Sequence, residues 1–157
     1  MSIFDAIKSQ DVSQVEGILK NNPQQLTLRD ERGSTPLLLA AYLGNKAIIH
    51  ALLAYKPEVD ARDVAGNTAL MGVSFKGFTD IASLLIEAGA AVNAVNAGHT
   101  TALMFAAMFG REEMVKFLLA SGADPEICDQ QGLKAVDYAK AKGQDAVLSL
   151  LTHGRIR

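Results

Sequence analysis

The chain repeats itself every 33 residues. Asp30, Asp63, Asn96 and Asp129 open successive copies of one phrase, and Thr35, Thr68 and Thr101 keep the same step. So do Leu37, Leu70 and Leu103, and so do Gly44, Gly77, Gly110 and Gly143. A fixed period of this size predicts a stack of like supersecondary units, none of which can bury its apolar face alone. A stack presents a long shaped surface and no evident closed pocket. Recognition is therefore the default expectation, and catalysis the exception.

The residues inside each copy say what the unit is. A threonine at the start of the phrase can accept from a free backbone N–H and cap a helix. Pro36 then falls at the first helical position, where its missing donor is harmless. The pairs Ala40-Ala41 and Ala106-Ala107 let neighbouring helices approach closely. Nine residues after each threonine a glycine can end that helix in the left-handed region. A second helix follows, with Ile81, Leu84 and Leu85 in one copy and Met114, Phe117 and Leu118 in the next at helical spacing. The Asp-x-x-Gly element between copies reads as a projecting β-turn.

The expected fold is all-α, with helix pairs at 2–10 and 12–21, 35–43 and 45–55, and 68–76 and 78–88. Two further pairs are expected at 101–109 and 111–120, and at 134–142 and 144–152. Leu70, Leu85, Leu103 and Leu118 should lie deep between units.

The stretch Asp30-Glu31-Arg32-Gly33-Ser34-Thr35-Pro36-Leu37-Leu38-Leu39-Ala40-Ala41 resembles the opening of an ankyrin repeat, as do Thr68-Ala69-Leu70-Met71 and Thr101-Ala102-Leu103-Met104. The resemblance continues in Leu84–Ala90 and Phe117–Asp124 and covers nearly the whole chain. It implies an ankyrin-repeat solenoid of helix-turn-helix units with projecting loops. The units fall at about 1–29, 30–62, 63–95, 96–128 and 129–157, in one domain spanning 1–157. One departure stands out. Leu38, Met71, Met104 and Asp137 occupy the position of the family's usual histidine, which ties neighbouring units by hydrogen bonds. This stack is expected to lean on apolar packing there, and methionine fills irregular gaps well.

The ends read as caps. Ser2 falls where Thr35 does, with Asp5 three residues on, and Asp11 stands in for the recurring glycine. Lys134 replaces the capping threonine, and Lys140, Lys142, Gln144 and Asp145 give the last unit a polar outer face. A formal charge of −2 gives no basic stripe for nucleic acid, and no apolar run reaches the length of a membrane span. The start lacks the charged and apolar regions of a signal peptide, and a single cysteine suits a reducing compartment. A cytoplasmic location is the expectation.

The chain offers no constellation for chemistry. His50, His99 and His153 lie in different units at different repeat positions, with no ligand-spaced pair and no Walker-type loop. No catalytic residue, metal ligand or cofactor is assigned, and the chain is read as a non-enzyme. Asp30, Asp63 and Asp129 suggest a carboxylate series, but turn chemistry explains them better. Cys128 lies beside Asp129, which opposes a reactive thiolate. His99 takes the place of Gly33, Gly66 and Gly132, with Gly98 one residue early, so a differently shaped turn is expected there.

The positions that the fold leaves open are the informative ones. The resemblance places partner contacts at the ends of the first helices and at the loop tips. Here these are Tyr42, Leu43, Phe75, Lys76, Met108 and Phe109, with Glu31, Arg32, Ser34, Asn67 and Thr100 on the loops. Five of the first six are large and apolar or aromatic, as interface anchors are. Helical geometry turns Tyr42, Phe75 and Met108 toward the groove. The function this implies is capture of a protein or peptide partner in a concave groove. The alternatives are a regulatory inhibitor of a partner enzyme and a scaffold that self-associates through the same groove.

Overall fold

The computed structural model describes residues 2–153, with side chains through Thr152, so the side chain of His153 lies outside the described residues. Ten α-helices are found there and no strand: α1 Ile3–Lys8, α2 Val12–Asn21, α3 Pro36–Leu43, α4 Lys46–Leu53, α5 Ala69–Lys76, α6 Thr79–Glu87, α7 Ala102–Met108, α8 Glu112–Ala120, α9 Ala135–Ala141 and α10 Asp145–His153. Each expected helix is present, within two residues at either end. A 3-10 helix at Pro23–Thr27 is additional, begun by a proline at its first position.

Helices α1, α3, α5, α7 and α9 pack side by side in chain order, and each also packs on the helix that follows it. Threonine starts the middle pairs as expected. Thr35, Thr68 and Thr101 accept from the backbone N–H of Leu38, Met71 and Met104 at 3.2, 3.4 and 3.2 Å. Each cap side chain is itself buried, so an unsatisfied N–H at these helix starts would be costly. Lys134 has no acceptor to offer, and α9 starts instead with its N–H donating to the Asp137 carboxylate at 2.8 Å. Gly44, Gly77, Gly110 and Gly143 all have positive φ.

The first unit departs from the register. Asp11 stands at the glycine's place in sequence, but the left-handed residue of this unit is Gln10, at φ 59°. Asp11 is extended and caps α2, accepting from Gln14 N–H at 3.1 Å as Asn45 accepts from Ile48 N–H at 3.0 Å. This unit is one residue tighter, because a carboxylate is worth more as a cap than as a strained turn residue.

The core is a row repeated by the period. Leu19, Leu52, Leu85, Leu118 and Leu151 are all buried, as are Leu70 and Leu103 on the facing helices. Alanines at the helix contacts (Ala41, Ala69, Ala102, Ala107, Ala135) are sealed, and Ser74 fits the small slot of Ala41 and Ala107 by donating its hydroxyl to Leu70 O at 2.7 Å. Leu38, Met71 and Met104 are buried where the family histidine would stand, as the sequence implies.

Packing is not the only tie between units, however. Arg29 donates to its own loop at Gly33 O and to the next at Arg62 O, and Arg62 does the same to Gly66 O and Val95 O. Val95 ends that series, and His99 replaces it by placing Nδ1 3.0 Å from Cys128 O. The turn at His99 is not differently shaped. Its φ is 65°, and its N–H donates to Asn96 O at 2.9 Å, just as Gly33, Gly66 and Gly132 donate to their aspartates. Histidine tolerates this region, and the ring gains a bond to the neighbouring loop.

Candidate functional site

Each loop is held open by one side chain. Asp30 Oδ1 accepts from Arg32 and Ser34 N–H, Asp63 Oδ1 from Ala65 and Asn67, and Asn96 Oδ1 from Gly98 and Thr100, all at 2.9 Å. Such turns fix the loop tips against the helices without help from the core. The carboxylates thus have the structural role that turn chemistry gives them, with a second oxygen left over.

Between the loops and helices α3, α5 and α7 lies a cleft of about 600 Å³. Its walls include Leu39, Tyr42, Phe75 and Phe105, and Arg32, Asp63, Val64 and Asn67 form its loop side. Of the residues singled out from the sequence, Arg32, Ser34, Asn67, Tyr42 and Phe75 meet here. Leu43, Lys76, Phe109, Met108, Glu31 and Thr100 do not line it. Lys76 and Phe109 still join its rim. The Lys76 ammonium sits 4.4 Å over the Tyr42 ring, and Phe75 meets Phe109 edge-to-face with centroids 4.5 Å apart. A chain of contacts therefore runs from Tyr42 across α5 to α7. Tyr42 and Phe109 are 51% and 45% exposed, with no covering element among the described residues. Met108 is different: it is half-buried, packs against the core and does not line this cleft.

Sequence reading missed Gly72 and Phe105. Leu39, Gly72, Phe105 and Tyr138 occupy one repeat position, and only reading down that column shows that a large side chain is absent in the middle. Gly72 lies inside α5 with no positive φ, and a Cβ built there would meet nothing within 4 Å. Neither backbone nor packing requires glycine. The missing side chain is what keeps the cleft open between Leu39 and Phe105. Gly72→Ala should raise stability by about 0.5–1 kcal/mol, the helix-interior cost of glycine. A denaturant melt of the variant checks this, and a loss of stability would mean that the site is tighter than described.

In the last unit the same position is filled. The Tyr138 hydroxyl donates to Asp129 Oδ2, and Asp129 Oδ1 keeps its two loop N–H groups. That bond holds the Asp129 carboxyl below the usual range, with the loop N–H groups adding to it against partial burial. It pushes the Tyr138 phenol up to about 12. A lowered carboxyl contributes stability that is present above the usual aspartate range and is lost as pH falls through its native value. A raised phenol contributes stability that is present below about pH 10 and is lost as pH rises toward 12. Tyr138→Phe should move the Asp129 titration upward toward an ordinary aspartate, as followed by carboxyl NMR. An unmoved titration would show that the hydroxyl is not the main cause.

Among the described residues there is no group of three or more His, Cys, Asp and Glu placed to hold a metal ion. No described helix is long and apolar enough to cross a membrane. Cys128 is exposed, with its thiol 3.8 Å from Glu126 O. The family model for ankyrin repeats (3 copies) matches residues 3–96 and again 73–156. No curated protein matches the chain.

Proposed function

Because this chain belongs to the ankyrin-repeat family, whose members are in general protein-interaction modules and typically not enzymes, we propose that it binds a protein or peptide partner in the groove beside α3, α5 and α7. The observation that carries this reading is the cleft of about 600 Å³ walled by Tyr42, Phe75 and Phe105. Aromatic rings at a groove centre supply large contact area at low entropic cost, and a surrounding rim excludes water. The loop tips, fixed by their own aspartate turns, set the register of the bound segment. Leu43, Lys76, Phe109, Glu31 and Thr100 complete the contact surface around the cleft.

The partner is a protein or peptide rather than nucleic acid, since the formal charge is −2. One exposed thiol and no disulfide pair fit a reducing compartment, so we place the chain in the cytoplasm. The test is affinity capture from a native extract with the wild-type chain beside a Tyr42→Ala, Phe75→Ala control. A partner retained equally by both would sink the groove reading.

A further inference from the structure

The molecule carries within itself a filled version of its own empty cleft. In the last unit Tyr138 reaches back nine residues to Asp129 and donates its hydroxyl to Oδ2. Two units earlier the same register pairs Gly72 with Asp63. Asp63 Oδ1 holds its loop through Ala65 and Asn67 N–H, as Asp129 Oδ1 does through Gln131 and Leu133, at 2.9–3.0 Å. Asp63 Oδ2 has no hydrogen bond or ion pair among the described residues, and where a phenol would start there is only the Cα of Gly72 facing free space. Aromatic walls are present on both sides, Phe75 and Tyr42 toward one end and Phe105 from the next helix.

We propose that the cleft over Gly72 takes a tyrosine side chain of the partner segment, with its hydroxyl donated to Asp63 Oδ2. This rests on the groove reading and gives it a specificity. A phenylalanine would fill the same space but leave a desolvated carboxylate without a donor, which is costly. A lysine or arginine could donate, yet Arg32 in the cleft and Lys76 at its rim already balance Asp30 and Asp63, so a further cation would leave the site with excess positive charge. A phenol supplies ring area and a donor without charge. The cleft is larger than one ring and has room for the backbone that bears it.

The test is selection of a library of short random peptides on three proteins: wild type, Asp63→Asn and Gly72→Tyr. Asp63→Asn keeps its turn, because Asn96 holds the next loop in the same way through Oδ1 at 2.9 Å, but it puts a donor where the free acceptor was. Gly72→Tyr fills the cleft as Tyr138 fills the last unit. Peptides selected on wild type should be enriched in tyrosine at one position. Changing that tyrosine to phenylalanine should raise Kd about tenfold on wild type and by clearly less on Asp63→Asn, where the amide can only donate to the phenol oxygen in a weaker, uncharged bond. Gly72→Tyr should lose these peptides while melting no lower than wild type, and should it fail to fold, Asp63→Asn decides alone. Peptides that depend on Tyr42 and Phe75 but show no tyrosine preference would overturn the inference and leave the groove reading standing. No peptide dependent on those two residues would overturn both.

Discussion

Leu85→Ala is expected to lower the free energy of unfolding by about 2–5 kcal/mol. Leu85 is fully buried on α6, third in the row Leu19, Leu52, Leu85, Leu118 and Leu151 that runs through the stack. Truncation removes its transfer energy and leaves a cavity between helices that cannot close without shifting a neighbouring unit. The position adds a second effect. A solenoid is held by nearest-neighbour interfaces, so a defect at its centre weakens the coupling of the two halves more than one at an end. The denaturant slope should then fall or the transition broaden, as well as the midpoint dropping. Leu28→Ala, at a residue 47% exposed, is the control and should stay within about 0.5 kcal/mol of wild type. A loss below about 1 kcal/mol at Leu85 would mean that this row does not hold the units together.

Features that repeat are easy to read from one copy to the next, and those were legible in the sequence. Threonine caps, left-handed glycines and the leucine row each recur every 33 residues, so chance is averaged out. The structure departs from expectation where a position occurs once. The 3-10 helix at Pro23–Thr27 has no counterpart among the described residues of the other units. The slip that makes Gln10 left-handed depends on a contest between two uses of Asp11, and only the assembled first unit decides it. The loop ladder was hidden for another reason. Arg29 and Arg62 continue at Val95 in sequence but at His99 in space, because the side chain that takes over comes from a different repeat position.

The candidate cleft was half legible. Tyr42 and Phe75 were found because large aromatics at helix ends draw notice. Gly72 was not, since a cleft made by a missing side chain is visible only against the Leu39 and Phe105 that flank it. Met108 shares the repeat position of Tyr42 and Phe75 but does not line the cleft with them. Phe109 takes the exposed place beside Phe75, which leaves Met108 to pack on the core.

That difference among the helix-end residues makes the binding prediction sharper. Tyr42→Ala and Phe75→Ala are each expected to weaken partner binding by about 1–3 kcal/mol, roughly five- to 150-fold in Kd. Their effects on folding should differ. Tyr42 is half exposed, and its one specific contact is the Lys76 ammonium 4.4 Å above the ring. An exposed pair of this kind is worth about 0.5–1 kcal/mol, so little stability should go with the ring. Phe75 also loses its edge-to-face contact with Phe109, worth about 0.5–1.5 kcal/mol, and its melt should fall measurably. Met108→Ala should do the reverse of Tyr42→Ala, losing stability through the core contact while leaving binding nearly intact. Each variant needs a binding titration with the captured partner and a chemical melt at one temperature. If binding losses merely track stability losses across the three, the residues are structural and the groove is not the site. A strong binding loss at Tyr42 with a nearly unchanged melt is the result that a docking surface produces, because the fold draws only the exposed Lys76 contact from that ring.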